Sequence, residues 1–306
     1  MEPIRGNMKQ PLFWLKRSKN MKKFIIVCLS VFLLCQFTKQ LHAQEWNAAD
    51  YAQGNSLQYQ SALYFLEHNN VQFQNKKILD VACGTGEISY FLAQNAQLVH
   101  GFDASKNMIE WAQEHYTDKA NNISFEQASA EEFYTTEKYD LATLFFCFHW
   151  FANKQKALDS IAACLEEGGE LFGTFSTTDT PDHPGHSIIK TMMKEWNIQE
   201  DFNQAMARSI VSTQELQEML AQAQFEIITC AVQTNDIHFP DHMSIENALR
   251  PVLMSRPFIK KMSLEDQEKF LREYVNRIVL VFEEDGAGGF THTLHTTIVH
   301  ARKKNQ

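Results

Sequence analysis

The chain has 306 residues, of which 44% are hydrophobic, and a formal net charge of −9. This length and composition suffice for one domain with a sizeable core that needs no disulfides. Eight of the 28 Lys and Arg residues and one of the 37 Asp and Glu residues lie within residues 1–43, so the remainder carries 20 basic and 36 acidic side chains. The excess of negative charge beyond residue 43 would repel a phosphate backbone, which argues against nucleic-acid partners.

The N-terminal segment contains an uncharged apolar run from Phe24 to Cys35 that follows two lysines. The run is shorter than the roughly 20 residues of a membrane span but suits the core of a signal peptide, with residues 41–43 as a passable cleavage site. We therefore predict that residues 1–43 are a signal peptide or a membrane anchor, with membrane contact through residues 24–35. An artefact of start-codon choice is the alternative.

From residue 44 onward, strand-like and helix-like segments alternate. The pattern predicts helices near residues 57–68, 87–94, 106–115 and 154–167, and strands near residues 77–82, 98–102, 123–128, 139–146 and 170–175. Such alternation is typical of a parallel sheet with helices on both faces.

After residue 181 the alternation breaks. Helical segments near residues 182–215 and 240–281 are predicted to cover the sheet edge, as insertions in one domain spanning residues 44–306. Two late β-rich segments, residues 225–232 and 291–301, lack a crossover helix of the usual size between them, which predicts an antiparallel finish to the sheet.

The strongest motif is Asp80-Val-Ala82-Cys-Gly84-Thr-Gly86, where an apolar strand enters a glycine turn and then a helix. Glycines at such a turn let the backbone approach a ligand closely. Asp103 ends the next strand 23 residues after Asp80, at about the distance where a carboxylate accepts hydrogen bonds from ribose hydroxyls. The pair predicts a nucleoside site.

The details of the turn favour one class of nucleoside. A dinucleotide site usually has a third glycine in the helix, and Ser89 stands at that position. Asp80 suits a ligand that carries an ammonium group, as S-adenosylmethionine does, and would repel a pyrophosphate. A nicotinamide-dependent oxidoreductase is therefore the weaker alternative. The six cysteines form no CxxC pair, so no metal site is predicted.

In these motifs the chain resembles the class I S-adenosylmethionine-dependent methyltransferases. The resemblance implies a Rossmann-like, doubly wound, mostly parallel sheet of seven strands with an antiparallel last strand and a helical cover. The family often has glycine where this chain has Ala82, and an Asp near adenine where this chain has Ser129. The cofactor-binding residues so implied are Asp80, Ala82, Gly84, Gly86, Asp103, Ala104, Ser129, Ala130 and Phe145.

A nearer resemblance is to the group of juvenile hormone acid and trans-aconitate methyltransferases, which methylate small carboxylic acids. Its landmarks here are residues 51–58, the His149-Trp150 pair after the fourth strand, residues 250–257 and residues 298–303. The resemblance implies that Gln58 and Trp150 hold the acceptor carboxylate. Their amide and indole N–H groups are neutral donors, and a carboxylate is already ionised at neutral pH, so no general base is needed.

Other functions remain open from the sequence. A non-catalytic, exported or membrane-tethered binding protein would account for the N-terminal segment, although the cofactor is made and used in the cytosol. A histidine among His149, His292 and His295 would be the general base if the acceptor were a hydroxyl or an amine. Alternation along a strand allows at most one of the last two to point inward.

Overall fold

The computed structural model describes residues 46–202, 209–284, 286 and 288–305. The predicted signal peptide or anchor at residues 1–43, with its apolar run at residues 24–35, lies outside these residues. Within the described ranges, no helix is both long enough and apolar enough to cross a membrane.

Eight strands form one sheet. They are β1 (Lys77–Val81), β2 (Leu98–Asp103), β3 (Ile123–Gln127), β4 (Tyr139–Phe145), β5 (Leu165–Phe175), β6 (Phe225–Phe239), β7 (Glu283–Glu284) and β8 (Phe290–Lys303). The described α-helices are α1 (Ala48–Gly54), α2 (Ser56–His68), α3 (Glu87–Ala93), α4 (Lys106–Tyr116), α5 (Lys154–Cys164), α6 (Pro184–Glu195), α7 (Thr213–Gln222), α8 (His242–Met254), α9 (Pro257–Lys260) and α10 (Leu264–Val279).

The sheet has the order β3-β2-β1-β4-β5-β8-β6, with the short β7 paired to β8 off this path. Strands β1 to β5 pair in parallel, and β8 is antiparallel to both of its long neighbours, β5 and β6. The predicted Rossmann-like, doubly wound sheet of seven strands with an antiparallel last strand is therefore confirmed. The two-residue β7 was not predicted.

Burial explains why the central strands were easy to recognise. Four of five residues in β1 and six of seven in β4 are buried, because helices cover both faces of the sheet. The outer end of β6 instead alternates buried and exposed residues, as expected of an edge strand with one solvated face.

The helical cover has a hydrophobic core of its own. Strands β6 and β8 run on as a ribbon past the end of β5, from Gln233–Thr296 to Phe239–Phe290, and the short β7 pairs with β8 at the outer end of this ribbon. Helices α6, α8, α9 and α10 pack on this ribbon through a cluster that includes Ile189, Ile237, Ile245, Phe270 and Ile278. These helices lie within the predicted segments 182–215 and 240–281. Helix α7 instead packs on the main sheet through Leu216 and Leu220.

Candidate cofactor and acceptor site

The glycine turn after β1 contains left-handed backbone at Ala82, Gly84 and Gly86, with φ of +53°, +55° and +87°. A Cβ added to Gly86 would lie 2.9 Å from the Phe125 ring and 3.0 Å from the Ala112 methyl, so this glycine lets the turn pack on the core. A Cβ at Gly84 would meet only the Tyr51 ring, at 3.6 Å. Gly84 is therefore the glycine that faces the open side of the turn.

Asp103 ties the end of β2 to this turn. Its Oδ2 accepts a hydrogen bond from the Gly84 N–H at 3.1 Å, and its Oδ1 accepts one from the Ser105 N–H at 2.8 Å. Burial raises the pKa of Asp103, and these backbone hydrogen bonds oppose the rise. The carboxylate is thus hydrogen-bonded to the glycine turn, and its contact with ribose stays a prediction.

Asp80 is almost fully buried at the end of β1, with 2% of its surface exposed. It accepts hydrogen bonds from the hydroxyls of Thr143, at 2.8 Å, and Ser89. Burial nevertheless raises the pKa of Asp80 to about 6. Ser89, which the sequence marks only as a missing glycine, therefore holds the carboxylate in place.

Two adjoining cavities meet at the turn. The smaller, of about 40 Å³, is lined by Tyr51, Gln58, Asp80, Ala82, Cys83, Gly84, Ile88 and Phe145. The larger, of about 510 Å³, is lined by Gly84 and Met108, by Gln58 and Trp150, and by residues of the helical cover such as Tyr274. Gln58 and Gly84 belong to both walls, so the predicted cofactor turn and the predicted acceptor pair share one continuous space.

The structure brings most of the predicted site residues to these walls. Five others stand back from both cavities as the described residues define them: Gly86, Asp103, Ala104, Ser129 and Ala130. The Ala104 carbonyl accepts a hydrogen bond from the Gln127 side chain at 3.2 Å, and Ala130 is 4% exposed in the main core. Ligand contact by all eleven predicted site residues stays a prediction.

An aromatic cluster that the sequence did not predict covers the turn. The Trp46 ring lies 5.5 Å from the Tyr51 ring and 6.0 Å from the Trp150 ring, centroid to centroid, in edge contacts. The Asn107 side chain donates a hydrogen bond to the Trp46 carbonyl at 3.3 Å. All three rings line the larger cavity, and only the tyrosine of the landmark at residues 51–58 hinted at the cluster.

Arg256 is a second residue that the sequence did not single out. Its side chain lines the larger cavity and is 5% exposed. Its guanidinium carbon lies 5.1 Å from the centroid of the Trp150 ring, which is a cation–π contact. The residue stands in the landmark at residues 250–257, but nothing in that pattern indicates which of its arginines is buried.

The histidines of β8 behave as strand alternation predicts. Both flank the larger cavity, but His292 is buried and His295 is exposed. Burial lowers the pKa of His292 to about 4, so this imidazole is neutral near pH 7. Over the described part of the chain, no group of three or more His, Cys, Asp and Glu side chains is arranged to hold a metal ion.

Comparison with known proteins agrees with this arrangement. The profile of the methyltransferase-domain family matches residues 51–230, which is more than half of the chain. The chain belongs to this family. It is thus an S-adenosylmethionine-dependent methyltransferase, and the nicotinamide-dependent and non-catalytic alternatives are not supported.

Two relatives are similar along most of the length of this methyltransferase. A protein of Invertebrate iridescent virus 6 named as a methyltransferase, 235L, is 25% identical over 82% of this chain and 90% of its own length. Juvenile hormone acid O-methyltransferase of Drosophila melanogaster is 22% identical over 84% of this chain and 92% of its own length. The crystal structure of the YcgJ protein of Bacillus subtilis shares the fold, with a TM-score of 0.52 at 18% identity over 81% of this chain and all of that one.

Proposed function

We propose that this enzyme transfers the methyl group of S-adenosylmethionine to the carboxylate of a small, partly apolar acid. The observation that carries the proposal is the continuous cavity from Gly84 to Gln58 and Trp150. Beyond that pair the wall includes apolar side chains such as Leu57, Ile189 and Leu253, which suit the body of such an acceptor. Among the relatives, the Drosophila protein is named for methylating an acid.

The residues at the turn fit the cofactor. Asp80, buried beside the small cavity, would pair with the ammonium group of the methionine part, which would also favour its ionised form. The buried Gln58 Oε1 accepts no hydrogen bond from the described residues, so an N–H donor is expected there. Asp103 retains lone pairs for the ribose hydroxyls, while Ala82 and Phe145 line the wall.

The residues around the acceptor provide orientation rather than proton transfer. In the proposal, the Gln58 amide and the Trp150 indole N–H hold the carboxylate in line with the methyl carbon and the sulfur. Because the acceptor is already ionised, neither His292 nor another base is required. The aromatic cluster of Trp46, Tyr51 and Trp150 excludes water from the reacting groups.

The reaction class is tested with the full chain, S-adenosylmethionine carrying a deuterated methyl group, and matched sets of carboxylic acids, phenols and amines. Mass spectrometry should find the label in base-labile methyl esters only. Gln58→Ala should lower turnover by about ten-fold or more, since a lost hydrogen bond to a charged group costs about 1.5–3 kcal/mol. Gln60→Ala, an exposed position on the same helix α2, is the matched control. Label in phenols or amines would contradict the proposal.

A separate proposal concerns the N-terminal segment, residues 1–43. We infer from the two lysines and the apolar run at residues 24–35 that this segment contacts a membrane. Membranes from cells that express the full chain should retain it after a high-salt wash and release it with detergent. Mass spectrometry of its N-terminus would show cleavage near residue 43 if the segment is instead a signal peptide.

A further inference from the structure

His292 is a buried imidazole in the wall of the larger cavity, and its Nε2 has no hydrogen-bond partner among the described residues. The Phe282 ring stacks on it at 4.7 Å between centroids, and the His183 ring meets it edge-on, also at 4.7 Å. A buried polar atom without a partner is costly, so its presence in a folded protein calls for an explanation. Because the ring is fixed by its neighbours and lines a cavity, a bound ligand is the source from which a partner can come.

Tyr274 brings a second neutral polar group to the same cavity. Its side chain is buried and lines the wall, and no hydrogen bond joins its hydroxyl to the described residues. A Cβ on Gly185 would lie 2.1 Å from this hydroxyl and 2.8 Å from the Nδ1 of His183. The glycine therefore leaves room for the tyrosine hydroxyl beside the short segment that also contacts His292.

The register of the sheet shows how far His292 lies from the glycine turn. Thr297 pairs with Phe175, the last residue of β5, and His292 lies five residues further along β8. At about 3.3 Å per residue, His292 is about 16 Å past the carboxyl end of β5. The glycine turn and Trp150 follow the carboxyl ends of β1 and β4, at the same edge of the parallel strands. The larger cavity therefore extends along the ribbon, well beyond the edge at which the methyl group would be transferred.

The chemistry of the two groups suits one kind of ligand atom. Burial lowers the pKa of His292 to about 4, so near pH 7 the ring is neutral and has one N–H donor and one acceptor nitrogen. Burial raises the pKa of Tyr274, so its hydroxyl stays protonated and can donate. A ligand hydroxyl both donates and accepts, so it can donate to the imidazole nitrogen and accept from the tyrosine. A charged group would instead lose its hydration without gaining an opposite charge from either residue.

We propose that His292 and Tyr274 form a second subsite that binds a hydroxyl group remote from the carboxylate of the acceptor, so that the enzyme prefers hydroxy acids to unsubstituted acids. This inference rests on the proposed function, because the carboxylate at the other end of the acid would receive the methyl group. The wall also includes the apolar side chains of Leu57, Ile189 and Leu253, which suit a hydrocarbon chain between the two polar ends. No bond is made or broken at the subsite, which fixes the length and the register of the acceptor.

The binding test uses the full chain loaded with S-adenosylhomocysteine and measures affinity by calorimetry. The probes are straight-chain acids of eight, ten, twelve and fourteen carbons, the same acids with a hydroxyl on the penultimate carbon, and the same acids with a ketone there. At one of the longer lengths the hydroxy acid should bind about ten-fold more tightly than the unsubstituted acid. The ketone, which accepts but does not donate, should gain less. The eight-carbon hydroxy acid should show no preference, because it is too short to reach His292.

Two variants separate recognition of the hydroxyl from packing. Tyr274→Phe removes one oxygen atom, and His292→Phe keeps a flat ring against Phe282. Each should lower the preference to about three-fold or less and leave the affinity for the unsubstituted acid unchanged, whereas a loss of packing would weaken both acids alike. The exposed Tyr134→Phe and His238→Phe are the matched controls. If His292→Phe does not fold, Tyr274→Phe carries the test alone.

Kinetics provide a second readout. The ratio of kcat/KM for the hydroxy acid to that for the unsubstituted acid should be about ten in the wild type and close to one in Tyr274→Phe. The kcat/KM for the unsubstituted acid should be the same in the two proteins, because that acid does not use the tyrosine hydroxyl.

The outcomes separate this inference from the proposed function. Equal affinity for hydroxy and unsubstituted acids at every length, or a preference that both variants keep, overturns the subsite. A ketone that binds as tightly as the alcohol overturns the assignment of a hydroxyl. A preference that the variants lose, without formation of any ester, leaves the subsite standing and overturns carboxylate methylation. Esters that form equally well from both kinds of acid leave methylation standing and overturn the subsite.

Discussion

Ala82 adopts a left-handed backbone conformation, with φ of +53°, in the turn that follows β1. A Cβ in this conformation costs roughly 1–2 kcal/mol. A glycine there would give the unfolded chain more conformational entropy, which lowers the free energy of unfolding by about 0.4–1 kcal/mol. Since the first effect is the larger, we expect Ala82→Gly to stabilise the protein by up to about 1 kcal/mol. Chemical denaturation measures the free energy of unfolding. Ala157→Gly, in the buried part of helix α5, should destabilise it by about 1 kcal/mol or more, and a similar loss at residue 82 would contradict the argument.

Asp103 and Trp150 are expected to act on different steps. Asp103→Ala removes the acceptor of the Gly84 and Ser105 N–H hydrogen bonds as well as the proposed contact with ribose. It should therefore weaken binding of S-adenosylhomocysteine by about a hundred-fold, as expected for the loss of two charge-assisted hydrogen bonds. Trp150→Ala should leave this affinity nearly intact and lower turnover. Calorimetry measures the affinity of both variants for S-adenosylhomocysteine, and initial rates measure their turnover. An equal loss of affinity in the two variants would contradict this division.

Among the site residues, those in one continuous motif could be predicted and those brought together by folding could not. The residues from Asp80 to Gly86 form a local pattern, and Asp103 follows at a typical strand–helix–strand distance. Arg256 and Trp150 meet only because the cover folds back over the sheet, and no periodicity records that contact. The hydroxyls that hold Asp80 come from Ser89, which the sequence marks only as a missing glycine, and from Thr143, which the sequence did not single out.

At the scale of elements, α1 and α8 are in unusually close contact. A Cβ on Gly54 would lie 2.0 Å from the Asn247 carbonyl oxygen and 2.8 Å from the Pro251 ring. Pro251 lies inside α8 and has no N–H for the Asn247 carbonyl one turn earlier, so that carbonyl is open to the approach of Gly54. Helix α1 also carries Tyr51 over Gly84, while α8 leads into Arg256. The contact therefore joins the cofactor side of the site to the acceptor side.

We expect Gly54→Ala to push α1 away from α8. Overpacking of this kind typically costs about 1–3 kcal/mol, so the melting temperature should fall. Because α1 contributes Tyr51 and α8 leads into Arg256, the KM values for both S-adenosylmethionine and the acceptor should rise. The exposed Gln53→Ala on the same helix should change neither quantity. An unchanged KM for the cofactor would show that α1 does not form part of its site.

The elements themselves were predicted to different degrees for a physical reason. Strands β1 and β4, at the centre of the sheet, are buried on both faces and read as apolar runs. The outer half of β6 continues beyond Val232 through Gln233, Asn235 and Asp236, which look like a polar loop in the sequence. These side chains have partners far away in the sequence. Gln233 exchanges two hydrogen bonds with Asn69, Asn235 donates one to Ser61, and Asp236 accepts one from Thr293. Only the pairing with β8 reveals that the strand continues.

For the whole molecule, the buried carboxyl of Asp80 makes stability depend on pH. Its pKa is raised to about 6 in the folded protein, mainly by burial, whereas an unfolded chain has an ordinary value near 4. Between about pH 4 and pH 6 the folded state therefore binds a proton that the unfolded state does not. Stability from this group is present below that window and is lost as the pH rises through it.

Asp80→Asn removes this titration, so the variant should be more stable than the wild type by about 1–3 kcal/mol at pH 7.5 and no more stable at pH 4. Glu87 and Asp103 also have raised pKa values, so the quantity that isolates Asp80 is the difference between variant and wild type across the pH range. The exposed Asp118→Asn is the control. The stabilised variant should bind S-adenosylmethionine at least about ten-fold more weakly, since it no longer offers a charge to the ammonium group. If the free energies of unfolding of the two proteins differ by the same amount at every pH from 4 to 7.5, the carboxylate is not destabilised by burial. If the variant keeps full affinity for S-adenosylmethionine, Asp80 does not bind the ammonium group.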